Sequence, residues 1–556
     1  MHKINTYLTN NFNFSKSKIR LLFALKILII IFAIYSASKL PIYPDEVAYK
    51  IFLERFFING GFKQSLTPYC TSGFMIRPAA FLWPAAIAWS SLAFFGEGWA
   101  SYRLLPLLLL LTVLIYLAFV NYKACGSIPW ASILLVGISP WLYGLLILRP
   151  EIFLLALGLL IYILCLKINK TFNKYLLIFL PIIVIFIYSL ILYIHPKALY
   201  FLPLILYGIL LGALNIKGNF KSLIYSIFFC LIAVLLSISA LNIHKEQYLT
   251  CPEVPSIQIT MNSQALNLMK IFEDRGDFLK QVNKLFGPEI TERTLSQFNF
   301  KKNYDIGYLP SKPFIENIDK IMNFSNKIVI LLELLILILS VIFSFKVMPI
   351  KDWILIFLFT IGLLSSSFLS FSRNWYDISM FMGSILVSTA LYYSHCYNFL
   401  IKYFNNTYKT IYMYLIIFCS IGTMYLISVN FNNSFDGGYT GPGIPLSIDK
   451  STLKTSINEI LDKYDLDIRD SIIVDDLTYE YLKKSKKVFP ASYLGLLFDQ
   501  PNLINNVLYT EKVKYGIVRC NTFTYLISSI PSLNWGLIEM TLDKSSLEKL
   551  CIFSTK

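Results

Sequence analysis

The sequence is short of charge for its size. Charged residues make up 15% of its 556 residues and apolar ones 56%, a balance that excludes an ordinary soluble globular protein. Histidine is scarce, with four copies. The nine cysteines never fall at Cys-x-x-Cys spacing, so neither a zinc ribbon nor a thioredoxin-type motif is present. There is no P-loop, no Gly-x-Gly-x-x-Gly fingerprint and no convincing internal repeat. Acids are the minority charge, 33 against 49 Lys and Arg, which leaves a formal +16. The lysines nevertheless form no single basic stripe, and nucleic acid is not an expected partner. They cluster at the ends of apolar segments, where the positive-inside tendency puts them.

What the chain has in quantity is hydrophobic length. Apolar runs recur at 19–40, 103–121, 128–147, 151–167, 175–194, 198–215, 221–241, 327–346, 352–371, 376–394 and 410–428, each near the twenty or so residues that cross about 30 Å of hydrocarbon. The expected fold is an all-α polytopic membrane protein with about eleven transmembrane helices over residues 1–428. Lys16, Lys18, Arg20 and Lys26 precede or enter the first run. With so many spans following, that run reads as a span and not as a cleaved signal.

Residues 78–95 are apolar enough to cross, but they contain Pro78 and Pro84 and follow Arg77. Charge parity decides their role. If they do not span, the N-terminal lysines, Lys123, Lys167, Lys170, Lys174, Lys217, Lys221, Lys346, Lys351, Lys402 and Lys409 share the cytoplasmic side. If they do span, every cluster from Lys123 onward lands outside. The segment is therefore expected to be an interfacial or re-entrant helix within one outer loop, 41–102.

Two hydrophilic regions then face away from the cytoplasm. Residues 242–326 form an outer loop, expected to be helical around 262–285. Residues 429–556 form a C-terminal extracytoplasmic domain, long enough for its own core. The turn-rich stretch Phe435 to Pro445 leads into it. Asp470 to Asp476 reads as a strand ending in acids, Leu477 to Lys487 as a helix, and Lys514 to Cys520 as another strand. A small α/β domain is expected. Cys125, Cys165, Cys230 and Cys419 lie in or beside spans and read as small hydrophobes. Cys70, Cys251, Cys520 and Cys551 lie in outer segments, where disulfides are chemically allowed but cannot be paired from sequence.

The unusual charged motifs all fall on the outer side of this topology. Asp45 and Glu46 follow Pro44 just beyond the first span. Adjacent residues do not share a helical face, so one carboxylate would face a reaction centre and the other hold a loop or cation. Asp45 is equally a good helix N-cap. Arg149, Pro150 and Glu151 sit where one span ends and the next begins. Pro150 suits the first helical turn and Glu151 its positive end, which is a complete structural account. The functional one gives Arg149 a phosphate or carboxylate to hold and points Glu151 into a polar cavity, since ionisable groups near hydrocarbon are expensive.

His195, Pro196 and Lys197 emerge together at the end of the 175–194 span. Histidine moves a proton near neutrality and lysine offers a compact charge for phosphate. The plainer reading is an interfacial lysine beside a satisfied histidine. Arg373, Trp375, Tyr376 and Asp377 lie at the outer end of the 352–371 span and suit either a phosphate and sugar ring or an aromatic belt. Arg77 and Arg103 are further cations on that side, or snorkelling ones. Together these groups suit a lipid phosphate with a polar head: cations stabilise charge on the departing phosphate and a carboxylate accepts the proton of an attacking hydroxyl.

In order and sidedness these motifs resemble the polytopic C-type (GT-C) superfamily of glycosyltransferases that use polyprenyl-phosphate-linked sugars. That superfamily includes protein O-mannosyltransferases and the bacterial transferases that add aminoarabinose to lipid A. The resemblance rests on Pro44-Asp45-Glu46, the proline-led segment from Arg77-Pro78 to Phe95, Gly96 with Arg103, and Glu151 in the second outer loop. It covers residues 19–241 by motif and the rest by topology.

The resemblance implies a GT-C-like fold with Asp45 as base and Glu46 and Glu151 as further catalytic carboxylates. The superfamily often has aspartate at the position of Glu151. Arg77, Arg103, Arg149, His195, Lys197 and Arg373 would bind the donor phosphate, and Trp375, Tyr376 and Asp377 would contact sugar or acceptor. The expected reaction is inversion at the anomeric carbon by direct attack. Some members need a divalent metal ion and others none, so the metal stays open.

The expected partners are a polyprenyl-phosphate sugar donor, the membrane lipid bilayer and a lipid, glycan or protein acceptor. The expected location is the bacterial inner membrane, multi-pass, with the active site extracytoplasmic. The competing classes are an envelope polysaccharide polymerase, ligase or flippase, and a non-enzymatic transporter. Transport fits less well because the acids lie at span ends and no interrupted helices repeat between halves.

Overall fold

The computed structural model describes residues 99–125, 145, 150–171, 173–215, 220–249, 334–335, 337–368, 375–403 and 450–467. Beyond these it describes 470–475, 478–482, 485, 487–491, 505, 508–509, 512–529, 535–542 and 549–555. The spans expected at 19–40 and 410–428, segment 78–95, the helix at 262–285 and all of 128–147 except Leu145 lie outside the described residues.

Among the described residues, eight helices form the apolar part: α1 (Trp99–Cys125), α2 (Pro150–Lys170), α3 (Lys174–Ile194), α4 (Leu202–Asn215), α5 (Phe220–Leu249), α6 (Leu337–Val347), α7 (Ile350–Phe368) and α8 (Trp375–Tyr403). A 3-10 turn, Pro196–Phe201, precedes α4. Among the described residues, five helical segments are long and apolar enough to cross a membrane, in α1 to α5, and the chain is a multi-pass membrane protein. Several helices outrun the apolar cores read from sequence. The span at 221–241 is part of a helix that continues to Leu249, into the expected loop 242–326, and 376–394 continues to Tyr403. Hydropathy marks the hydrocarbon-crossing stretch, not the helix end.

Starts and stops follow local chemistry. Pro150 opens α2 and Glu151 sits in its first turn, where a missing N–H costs nothing and a negative charge meets the positive end of the dipole. Asn173 caps α3, its side chain accepting from the Tyr175 amide at 2.9 Å. Lys167 and Lys170 end α2 and Lys174 begins α3, so this antiparallel pair is lysine-rich at one end.

The bundle core is apolar and close-packed. Tyr162 stacks on Phe359 with centroids 4.9 Å apart, and Phe201 approaches Phe359 at 6.4 Å. The contact of α2 with α4 depends on Gly208 and Gly212, one turn apart. A Cβ at Gly208 would lie 2.5 Å from Cys165 Sγ, and one at Gly212 2.5 Å from Ile168 Cγ2. This is a small-xxx-small seam that lets two membrane helices approach. Gly208→Leu is expected to destabilise the bundle by at least about 2 kcal/mol through overpacking, seen as a lower thermal midpoint in detergent. Leu210→Ala on the exposed face should leave the midpoint nearly unchanged.

The C-terminal described residues form a mixed sheet in the order β2-β1-β3-β5-β4. Its strands are β1 (Ser471–Val474), β2 (Lys487–Pro490), β3 (Val513–Arg519), β4 (Trp535–Leu542) and β5 (Lys549–Thr555). Helices α9 (Lys450–Lys463), α10 (Tyr479–Leu482) and α11 (Cys520–Ser529) accompany them. The pairs β1–β2 and β1–β3 are parallel, while β3–β5 and β4–β5 are antiparallel. Ile457, Ile472, Val474, Tyr479, Ile517 and Ile552 belong to a core of their own. Of the helix read over 477–487, the described residues show a helix at Tyr479–Leu482, and the end is corrected: Lys487 pairs with Ser471 in β2.

Just past β1, the buried Asp475 ties this unit together. Its Oδ2 accepts from the Arg519 amide at 2.7 Å, Arg519 Nε at 3.2 Å and Thr522 Oγ1 at 3.2 Å. Its Oδ1 accepts from the Thr478 amide at 3.0 Å. A buried carboxylate is tolerable here because several donors replace its water. Cys520 and Cys551 form a disulfide joining α11 to β5, the pairing that sequence left open.

Candidate functional site

Sequence reasoning named Glu151, His195 and Lys197 separately, and the structure brings them to one place. Glu151 projects from the first turn of α2 and is 1% exposed. Lys197 projects from the 3-10 turn after α3, with its side chain 13% exposed, and its Nζ lies 3.8 Å from Glu151 Oε1. The two residues are 46 positions apart in sequence and meet because α2 and α3 run antiparallel. A nearly buried carboxylate at the end of an apolar helix is costly unless countered, and Lys197 supplies the counter-charge.

His195 is the hinge between the two elements. It ends α3 with its amide donating to Ile191 O at 2.8 Å, and its extended backbone (φ −157°, ψ 135°) turns the chain. Pro196 enforces that conformation on the residue before it. The His195 Nδ1 then accepts from the Lys197 amide at 3.1 Å, capping the 3-10 turn. The turn is fixed from below by Phe201, its last residue, which is fully buried. A Cβ at Gly158 of α2 would lie 2.6 Å from the Phe201 ring, and one at Gly362 of α7 would lie 3.1 Å from it. Two glycines on facing helices thus leave the slot that seats the ring. Phe201, Gly158 and Gly362 were not singled out from sequence, where nothing distinguishes them from other residues of apolar runs.

The start of α8 lies at the same end. Gly383 packs beside Leu155, one turn into α2, so the backbone of Trp375, Tyr376 and Asp377 begins near the level of Glu151. Arg103 falls in α1, where the helix course alone is described. Asp45, Glu46, Arg77, Arg149 and Arg373 lie outside the described residues. No group of three or more His, Cys, Asp or Glu suited to a metal occurs among the described residues.

About 27 Å away along α2, at 1.5 Å per residue, a different polar knot closes the lysine-rich end. Asn169 Nδ2 donates to Asp352 Oδ1 at 2.6 Å, and Lys170 Nζ lies 3.8 Å from Asp352 Oδ2. Asp352 sits in the first turn of α7, where a helix favours an acid. Sequence reasoning passed over it. Its only signal was an acid among the lysines of that side. The bundle therefore has two polar ends separated by roughly one hydrocarbon thickness.

No protein-family model matches the chain, and no curated protein matches it. Among solved structures it is similar to the oligosaccharyltransferase of Archaeoglobus fulgidus, crystallised in complex with Zn and sulfate. There the identity is 12%, covering 90% of this chain and 69% of that one, with a TM-score of 0.44. It is also similar to ArnT from Cupriavidus metallidurans, in the apo state and bound to undecaprenyl phosphate. That identity is 9%, covering 98% of this chain and 99% of that one, with a TM-score of 0.46.

Proposed function

We propose that this protein is a membrane glycosyltransferase. It transfers a sugar from a polyprenyl-phosphate donor to an envelope lipid, glycan or protein acceptor on the extracytoplasmic side. The observation that carries the reading is the meeting of Glu151 and Lys197, 3.8 Å apart at the end of the bundle opposite the lysine-rich one. An ammonium group held at the lipid-headgroup level by a buried carboxylate is suited to a phosphate whose polyprenyl tail stays in the bilayer. Asp45, just beyond the first span, is the proposed base, with Glu46 and Glu151 as further carboxylates of the site. Arg77, Arg103, Arg149 and Arg373 are the proposed further phosphate ligands. Trp375, Tyr376 and Asp377 are the proposed sugar or acceptor contacts.

The sidedness has separate support. Short-loop lysines mark the other end as cytoplasmic, and the Cys520–Cys551 disulfide suits an oxidising compartment. The proposed chemistry is direct attack of an acceptor hydroxyl on the anomeric carbon. Its proton passes to Asp45, and the polyprenyl phosphate leaves against Lys197. A divalent metal belongs to the proposal only as an open requirement, tested by chelation.

The test is donor consumption by the purified full-length protein. Polyprenyl-phosphate sugars are offered with envelope extracts as acceptor, and release of polyprenyl phosphate is followed by mass spectrometry. Release that depends on the acceptor supports the reading. If no polyprenyl-phosphate sugar is consumed while an intact lipid-linked polymer is extended or moved across the bilayer, the polymerase or transporter reading replaces it.

A further inference from the structure

Sequence reasoning grouped His195 with the cations that hold the donor phosphate, and its geometry is that of an acceptor. Its Nδ1 takes the hydrogen bond of the Lys197 amide at 3.1 Å, which an imidazolium, a donor at both nitrogens, cannot do. The same residue ends α3 and begins the turn, its carbonyl accepting from the Ala198 amide at 3.1 Å. Lys197 is thereby held two residues from a cap whose backbone and side chain are both engaged. Its ammonium group reaches Glu151 from that fixed origin.

We infer that His195 is a positioning residue: as a neutral cap it aims Lys197 at Glu151 and at the lipid phosphate, and it is not itself a cationic phosphate ligand. Pro196 and Phe201 set the course of the turn, through backbone restriction and the Gly158–Gly362 slot. The amide of Lys197, two residues past the cap, is the first N–H of this turn, since Pro196 has none. His195 accepts it. Asparagine is a favoured residue for this capping arrangement, accepting an amide two residues ahead through its side-chain oxygen. Lysine keeps a positive charge and accepts nothing. The two replacements therefore separate cap from cation.

This inference rests on Lys197 binding the donor phosphate, and the test reports on both. Affinity of the purified full-length protein for undecaprenyl phosphate is measured by native mass spectrometry, with the thermal midpoint as a check of folding. Lys197→Ala is expected to weaken binding about tenfold, the loss of a charge-assisted bond. His195→Asn is expected to stay within about twofold of the parent. His195→Lys and His195→Ala are expected to lose about three- to tenfold, the scale of a lost cap.

If Lys197→Ala binds the lipid like the parent, the phosphate reading of Lys197 fails and the inference falls with it. If Lys197→Ala weakens binding but His195→Asn weakens it as much as His195→Ala, the positioning role alone is overturned. That role is overturned equally if His195→Lys binds like the parent, or if His195→Ala does. Should His195→Ala not fold, the contrast of His195→Asn with His195→Lys decides.

Discussion

Asp45→Asn is expected to lower turnover by about 10²- to 10⁴-fold, the scale of a lost general base, with membrane insertion and donor affinity intact. The proposed reaction needs a carboxylate that takes a proton from an attacking hydroxyl. Glu151 is poorly placed for that duty, since it is 1% exposed and lies 3.8 Å from Lys197. A carboxylate committed to holding a cation positions that cation for the leaving phosphate better than it accepts a proton from the attacking hydroxyl. Charge parity in the sequence is the ground for expecting Asp45, just beyond the first span, on that same side, and the proposal gives it the base role. Single-turnover transfer with purified protein is the measurement. Nearly full transfer by Asp45→Asn together with collapse in Glu151→Gln would exchange the two roles.

Glu151→Ala carries the second large effect, and it is on stability first. Removing the acid leaves the ammonium group of Lys197 in a site where its side chain is 13% exposed, without the carboxylate 3.8 Å away. Loss of one partner of such a pair costs on the order of 3 kcal/mol, and the unfolding midpoint should fall accordingly. The double variant Glu151→Ala with Lys197→Met is expected to recover most of that stability, because neither charge is then buried. It should not recover use of the lipid donor. Recovery of both would make the pair purely structural. Recovery of neither would show that the cost lies in packing at the head of α2.

Much of the helical part was legible because bilayer spans leave a long signal. The helices begin near Pro150 and break at His195-Pro196-Lys197, where proline and the capping side chain act within a few residues. The common side of Glu151 and Lys197 was readable from the two spans that separate them, and their meeting at 3.8 Å agrees with it. Two strands of the C-terminal sheet were also readable, over 470–476 and 514–520, observed at Ser471–Val474 and Val513–Arg519.

What stayed hidden depends on long-range partners. Nothing local pairs Asp475 with Arg519, 44 residues later, or Cys520 with Cys551. The seat of Phe201 needs glycines from two other helices. The helix read at 477–487 is helical at Tyr479–Leu482, but its last residue, Lys487, already belongs to β2, paired with β1. Local propensity yields where a strand finds a buried neighbour. The Gly208–Gly212 seam was available as a spacing and was not recognised.

The central claim is that the Glu151–Lys197 end of the bundle lies outside and receives a lipid phosphate. Single cysteines at Lys197, and at Tyr175 on the exposed lysine-rich end, can be probed in intact cells with a small membrane-impermeant thiol reagent, after removal of competing cysteines. The account predicts labelling at 197 from outside and labelling at 175 only after permeabilisation. Labelling at 175 from outside with 197 protected until the membrane is breached would contradict it.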